Sequence, residues 1–577
     1  MSCTKTSVFE STQHYLQTRR LCQLASVTGM RRQSKSYEAS VWVVALCLLS
    51  WNMAGCDSRT AVDLRPVAQD PTAFIESVTP GEPAIRKLTR DQFVSSIHDV
   101  FNADIAVPPT AEPDFVAGGL ASVGASTTPY SPRGVESFEQ VAYAVANLVL
   151  TTPEIRVRIM VCEPTAIVDS ACAQQIIEPI ARLAWRRILT EDELARLVGV
   201  VNSAAQTLSS FNAGLEFGLA AILQSPFFLY RFELGHSGRF TDYELASRLA
   251  YFLWNSTPDI ELLDAAEAGE LSTDEGLRAS AVRLLSDPRA RIGMRRFFIE
   301  YLHLEELLSL SKDPSVFAFY TTDLGESALE ETLSLLDYLV FERDADYRAL
   351  LTTTTTFVNP TLAALYDIPA PSSEGFARVN LPPSGPRAGL LGHAGFLSAH
   401  SHPVSTSVTL RGKAVRNILL CQDIPIPPVE VDTSIPEPSG TAPTMRERVA
   451  EHLESESCAA CHLMTDPIGL GLENFDGVGR YRLLDNGHMI DPTGDLDGTD
   501  FLNARELGAA VASHPDYLRC LVRTMTRYAT GRVETKEELE THITTLTNRF
   551  ISQGAHVQGL ALDIVLSPMF RRAGEGG

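Results

Sequence analysis

Apolar residues at helical spacing, introduced by helix-start signals, constrain the fold of this chain more than any other feature. Thr190 and Glu193 have the T-x-x-E spacing of a capping box, and Leu194, Leu197 and Val198 continue an apolar face behind them. Thr444 to Glu447 repeats the spacing, whereas strand-like runs are few and short. The pattern predicts a mainly α fold, arranged as a multidomain helical array.

Other predicted helices share the same 3.6-residue periodicity, and the chain is long enough to bury several cores. It has 577 residues, of which 45% are hydrophobic. These helices are expected at 88–100, 215–223, 243–254, 282–285, 292–302, 328–341, 504–511, 517–528, 536–551 and 557–565.

The pentapeptide from Cys458 to His462 reads C-x-x-C-H, the attachment pattern of c-type haem. Two thiols one helical turn apart can each form a thioether with a haem vinyl group, and the adjacent imidazole can bind the iron as proximal ligand. We therefore expect covalent haem c on Cys458 and Cys461, with His462 as an iron ligand. The alternatives are a C-x-x-C disulfide with a bystander histidine and a zinc site. No second C-x-x-C or H-x-x-x-H lies near enough to complete a zinc site.

The N-terminal 56 residues predict export. Positive charge at Met30-Arg31-Arg32 precedes an apolar run, 41–51, that is too short for a comfortable membrane span. The run ends in Met53-Ala54-Gly55-Cys56, which resembles a bacterial lipobox with Cys56 as the lipidated residue. An uncleaved anchor helix is the alternative. Both interpretations place the remainder outside the cytoplasmic membrane, in the periplasm or at the outer membrane, and the lipid would bind the protein to the membrane.

The remaining cysteines form an even set, as expected in an oxidising compartment. They are Cys162, Cys172, Cys421 and Cys520. Four cysteines allow three pairings. The short separation of the first two favours a local staple, and the other two would then join the C-x-x-C-H segment to the C-terminal helices.

Charge and motif content exclude several function classes. The formal net charge is -23, which disfavours nucleic acid as a partner. No G-x-S-x-G, H-E-x-x-H or P-loop is present, which argues against familiar hydrolases and NTPases. The sequence identifies no catalytic residue, so whether the protein is an enzyme stays open, as does the identity of a redox partner protein.

Proline-rich segments suggest linkers between modules. Residues 57–83 form the expected tether, and 368–386 and 424–443 are the other two segments. The expected modules are N-terminal (84–150), Cys162/Cys172-containing (160–236), central (240–368), cytochrome-like (385–482) and C-terminal (488–572).

Ordered motifs along this chain resemble the multidomain planctomycete-type cytochrome C proteins found in planctomycetes and myxobacteria. The matching segments include 88–100, 185–190 with 223–231, 244–254 with 287–290, 387–391 with 405–413, 458–480 and 528–532. The resemblance implies several modules of unknown function around one cytochrome-like module, with the C-x-x-C-H in that module. It is specific for family membership and says little about the reaction.

Further haem contacts are expected within and beyond the cytochrome-like module. Arg480 is a candidate partner for a haem propionate. The candidates for a distal iron ligand are His400, His402, Met489 and Met525. The sequence thus predicts an exported, membrane-tethered c-type haem protein in electron transfer or an oxidoreductase. The alternative is an extracytoplasmic protein that binds a macromolecule such as a polysaccharide and has a structural C-x-x-C-H.

Overall fold

Helices form most of the computed structural model, as the sequence predicts. The structure describes residues 73–74, 81–110, 112–425, 435–450 and 456–574. The predicted signal segment with Cys56, and most of the tether, lie outside these residues. No helix in the described ranges is long and apolar enough to cross a membrane.

The first helices pack around a core that extends from Leu88 to Leu229 and includes Tyr251. The 20-residue α3 and the proline-containing α5 are not among the predicted helices, although both bury an apolar face. The elements of this part are β1 (Ala84–Lys87), α1 (Arg90–Phe101), α2 (Ala121–Gly124), α3 (Pro132–Thr151), α4 (Pro153–Ile159), α5 (Ser170–Trp185), α6 (Glu191–Leu208), α7 (Phe211–Leu223), α8 (Pro226–Leu229) and β2 (Tyr230–Glu233).

The central part begins the second core. Its elements are α9 (Asp242–Leu253), α10 (Ile260–Glu267), α11 (Asp274–Ser286), α12 (Arg289–Tyr301), α13 (Leu324–Asp337), α14 (Ala349–Thr352), β3 (Thr355–Val358), α15 (Pro360–Tyr366) and β4 (Ala377–Asn380). Strand β4 pairs antiparallel with β3, with Thr356 opposite Val379. The linker predicted at 368–386 is therefore partly wrong, because its middle is a strand fixed by ladder hydrogen bonds.

The C-terminal part completes this second core, which extends from Leu120 to Phe570 and is shared by the modules rather than divided among them. Its elements are α16 (Ala394–Ala399), α17 (Val408–Ala414), α18 (Met445–Ala450), α19 (Glu456–Leu470), β5 (Leu484–Asp485), β6 (His488–Met489), β7 (Gly494–Leu496), β8 (Thr499–Phe501), α20 (Ala504–Ser513), α21 (Pro515–Thr530), α22 (Lys536–Glu538), α23 (Thr544–Ser552), α24 (Val557–Leu566) and α25 (Pro568–Arg571). A π-helical turn, Val415–Leu419, follows α17.

Two predicted disulfides are confirmed. Cys162 and Cys172 are joined close in sequence, and Cys421 and Cys520 link the segment after α17 to α21. The capping box at Thr190 is also confirmed, since its side chain accepts from Glu193 N while the Glu193 side chain accepts from Thr190 N. These features fix where helices begin and how the C-terminal elements are tied together.

Candidate functional site

The C-x-x-C-H lies within α19, in its N-terminal half. Cys461 has a free thiol and is half-buried. Cys458 lies one turn earlier on the helix, but its side chain is outside the described residues. Glu447 Oε2 accepts from Thr444 N and Thr444 Oγ1 at the start of α18, and residues 451–455 between α18 and α19 are not described. The helix thus places one free thiol and the following imidazole side by side, as thioether attachment requires.

His462 forms the closest polar contact of the site. Its Nδ1 lies 2.6 Å from Oδ2 of Asp466, one helical turn further on. The hydrogen bond that His462 donates to Asp466 raises the pKa of His462 against the opposing effect of burial. With Nδ1–H donating to the carboxylate, the lone pair of the neutral imidazole resides on Nε2. A histidine held by a carboxylate in this way is the usual arrangement behind a metal-ligating imidazole.

Asp466 is itself fixed by two hydroxyl donors. Thr409 Oγ1 on α17 lies 2.8 Å from Asp466 Oδ1, and Thr465 Oγ1 lies 3.2 Å from the same oxygen. Asp466 is only 3% exposed. The sequence prediction missed this role, and α19 continues through Pro467 to Leu470. The H-x-x-x-D spacing is the signal that could have indicated the pair.

Two glycines allow α17 and α19 to touch backbone to backbone. A Cβ added at Gly412 would overlap the carbonyl of Thr465, and one added at Gly469 would overlap the carbonyl of Val408. Each glycine is therefore required by close approach of the opposite helix. This packing holds Thr409 against Asp466 and so fixes the second partner of the His462 carboxylate.

Arg411, which lies beside Gly412, anchors the segment that follows α19. It is fully buried and donates to the carbonyls of Leu472 (2.9 Å), Phe475 (2.8 Å) and Asp476 (2.6 Å). Burial lowers the pKa of Arg411 to about 10, although nearby Glu473 opposes the shift. The basic Arg411-Gly412-Lys413 segment lies in the last turn of α17 and has this arginine in the protein interior.

The two predicted histidine ligands lie on the loop after α16. Lys312 holds this loop, because its Nζ donates to Ser401 O (2.8 Å), Ser401 Oγ (2.7 Å) and His402 O (3.0 Å). Burial and the nearby cationic groups lower the pKa of His400 to about 3. His400 is half-buried, whereas His402 is exposed.

His400 lines a pocket of about 720 Å³ between the central, cytochrome-like and C-terminal modules. Leu410, Lys413 and Ala414 of α17 also line it, whereas Val408, Thr409 and Gly412 face α19. The pocket and the C-x-x-C-H helix therefore contact different sides of α17, and neither Cys461 nor His462 lines the pocket. His400 and His462 therefore do not share this pocket.

The remaining predicted contacts are dispersed. Met489 is 68% exposed on β6, and Met525 is fully buried in the second core. Arg480 stacks on Phe319, with Cζ 3.5 Å from the ring centroid. These positions leave the distal ligand and the propionate contact as predictions. Among the described residues, no three His, Cys, Asp or Glu side chains gather as a metal-ion site.

Four family models match the chain, each described as a protein of unknown function. The model DUF1595 matches residues 172–233, DUF1592 matches 240–368, DUF1588 matches 387–485, and DUF1585 matches 497–570. All four are modules of the planctomycete cytochrome C type, and the cytochrome-labelled one, DUF1588, contains the C-x-x-C-H. No curated protein and no solved structure matches the chain.

Proposed function

We propose that this chain, which contains four modules of the planctomycete cytochrome C type, is an exported, membrane-tethered c-type haem protein that transfers electrons. The observation that carries the proposal is the His462–Asp466 pair inside the C-x-x-C-H helix, at 2.6 Å. A disulfide or a bystander histidine would have no need of a carboxylate that orients the ring. The free thiol of Cys461 supports the same interpretation.

The residues of α19 fit a covalently attached haem. Cys458 and Cys461 would form the thioethers, and His462 would be the axial ligand through Nε2. When bound, haem supplies a one-electron ferric/ferrous couple. Leu463 is 62% exposed and Met464 is 38% exposed, so apolar side chains flank the histidine at the protein surface.

Asp466 would orient the imidazole and make it a stronger ligand. A carboxylate that accepts from Nδ1–H fixes the tautomer and raises the basicity of Nε2. Because Asp466 is buried and bound by Thr409 and Thr465, its carboxylate has little freedom to turn away. The close α17–α19 packing extends this rigidity to the backbone of both helices.

Export and lipid attachment at Cys56 belong to the same proposal. The two disulfides support an oxidising compartment, which is also where haem c is attached. The acidic charge of -23 suits a basic redox partner and disfavours nucleic acid.

The visible spectrum of the full-length protein, produced with cytochrome c maturation machinery, tests the axial ligand. We expect a haem c spectrum for the native chain and for His236→Gln, an exposed histidine outside the proposed site. His462→Gln should retain covalently bound haem on a denaturing gel and lose the spectrum of the histidine-ligated iron. An identical spectrum for His462→Gln would refute the role of His462.

A further inference from the structure

A pocket of about 260 Å³ lies between the β3–β4 region and the turn that ends at Arg480. Two arginines, Arg387 and Arg480, line it together with the aromatic rings of Tyr366 and Tyr481. Most of its other lining is apolar, contributed by Leu365, Ile368, Leu381, Pro382 and Pro386. It shares Gly385, Pro386 and Tyr481 with a neighbouring pocket of about 460 Å³.

Neither arginine forms a close ion pair with a carboxylate of the described residues, although Glu331 and Asp476 act on Arg387 at longer range. Among the described residues, no Asp or Glu oxygen lies within 4.0 Å of a guanidinium nitrogen of Arg387 or Arg480. Arg387 is 6% exposed and donates to the carbonyls of Gly392 and Gly479. The one acidic residue of the lining is Asp367, which is exposed at the edge. This concentration of positive charge stands out in a chain with a net charge of -23.

The guanidinium of Arg480 has unused hydrogen-bonding capacity. Its Nη1 is buried and has no hydrogen-bond partner. Stacking on Phe319, with Cζ 3.5 Å from the ring centroid, covers one face of the group and leaves its N–H donors in the guanidinium plane. The nearby Asp476 is bound by the backbone, since its Oδ1 accepts from the N–H groups of Val478 and Arg480.

Arg387 is held in place by aromatic contacts. Its Cζ lies 3.7 Å from the ring centroid of Tyr366 and 4.7 Å from that of Phe475. The Tyr366 hydroxyl donates to Glu331 Oε2 at 2.6 Å, which fixes the ring on which the guanidinium rests. The pocket therefore has a preformed cationic wall rather than two mobile surface arginines.

We propose that this pocket binds the carboxylate of a small organic ligand, with Arg480 as the charged donor and the apolar lining around the rest of the molecule. A guanidinium fork matches a carboxylate in geometry, and the hydrogen bond is charge-assisted. The carboxylate belongs either to a free organic acid or to a haem propionate. The pocket itself does not depend on haem attachment.

Calorimetric titration of full-length protein with propionate, benzoate and succinate tests the site. The protein is first titrated in a haem-free form, in which Cys458→Ser and Cys461→Ser remove both thiols that would attach haem. We expect at least one acid to bind, and Arg480→Gln to weaken that binding by about tenfold or more, the effect of removing a charge-assisted hydrogen bond. Arg278→Gln, an exposed arginine of α11, is the matched control and should leave binding unchanged. The neutral analogue benzamide should not bind.

Repeating the titration with haem-loaded protein distinguishes the two sources. Binding that persists identifies a free acid as the ligand, and binding that disappears identifies a propionate as the occupant. If no haem attaches, the titration of the haem-free chain still tests the pocket. The proposal is overturned if none of the three acids binds the haem-free chain, or if Arg480→Gln binds as well as the native protein.

Discussion

Two polar clusters in the cytochrome-like module, one within α19 and one just beyond its end, differ in burial and in the way their charges are used. Arg411 on α17 and Glu473, which follows α19, are 0% and 2% exposed, and backbone carbonyls accept the hydrogen bonds of the arginine. The His462 side chain, in the N-terminal half, is 16% exposed, and its Nδ1 pairs with Asp466. The first arrangement fixes the chain, whereas the second orients a ring that can bind a metal.

The comparison shows that a buried charge alone does not indicate function. Arg411 is more buried than His462 and is bound by more groups, yet all of its assigned contacts are within the fold. The His462–Asp466 pair is distinguished by leaving a tautomer with a defined lone pair next to two cysteines. We therefore expect variants of the two clusters to affect different properties, stability in one case and the haem spectrum in the other.

Removing Arg411 should have the largest effect on stability. Arg411→Met removes one of the two arginines that pair with Glu473 and leaves several backbone carbonyls without their donor. Loss of one partner of a buried ion pair costs about 3–5 kcal/mol. Urea unfolding followed by circular dichroism measures the loss. Arg278→Met on exposed α11 is the control, with an expected change within about 0.5 kcal/mol. Similar values for the two variants would contradict the structural role of Arg411.

Disturbing the backbone contact between α17 and α19 should have a smaller effect on stability. Gly412→Ala places a methyl group against the Thr465 carbonyl, and overpacking of this kind costs about 1–3 kcal/mol. Gly199 on α6 has no neighbouring atom within 4 Å of an added Cβ, so Gly199→Ala should stabilise by about 0.4–1 kcal/mol. Thermal unfolding of both variants checks the difference. Equal effects would mean that the two helices are not in backbone contact.

The pH dependence of stability should report the raised pKa of Glu473. Burial raises its pKa, and Arg411 and Arg482 only partly oppose this. Between the unfolded and the higher folded pKa, the native state binds a proton that the unfolded state releases. The contribution of Glu473 to stability therefore falls as pH rises above about 4.5, by at most about 1.4 kcal/mol per pH unit.

Glu473→Gln provides the comparison for that measurement, because glutamine cannot titrate. Denaturant unfolding of both proteins from pH 4 to 7 should show the stability of the native chain, relative to the variant, declining with pH. A difference that is flat or rises across this range would be incompatible with a raised pKa for Glu473.

Local signals in the sequence are sufficient to predict much of the helical array and both disulfides. The cap at Thr190 and the apolar spacing behind it depend on neighbours a few residues away, and they hold in the structure. Helix α5 was missed because Pro179 lies inside it, and tertiary packing overrides that local penalty. Strand β4 was taken for part of a linker because its partner, β3, lies about twenty residues away in sequence.

The candidate site could be predicted only in part for a similar reason. The C-x-x-C-H is contiguous, so Cys458, Cys461 and His462 were identified from sequence. The burial of Arg411 depends on carbonyls more than sixty residues further on, and arginine is seldom fully buried. The requirement for Gly412 likewise exists only once α19 lies against it.

The intact mass of the full-length protein, matured with cytochrome c machinery, tests the central claim most directly. We predict a mass increased by one covalently bound haem in the native chain and an unmodified mass when Cys458 and Cys461 are both replaced by serine. A native chain that contains no haem, and whose Cys458 and Cys461 are recovered as free thiols or as a disulfide, would contradict the account.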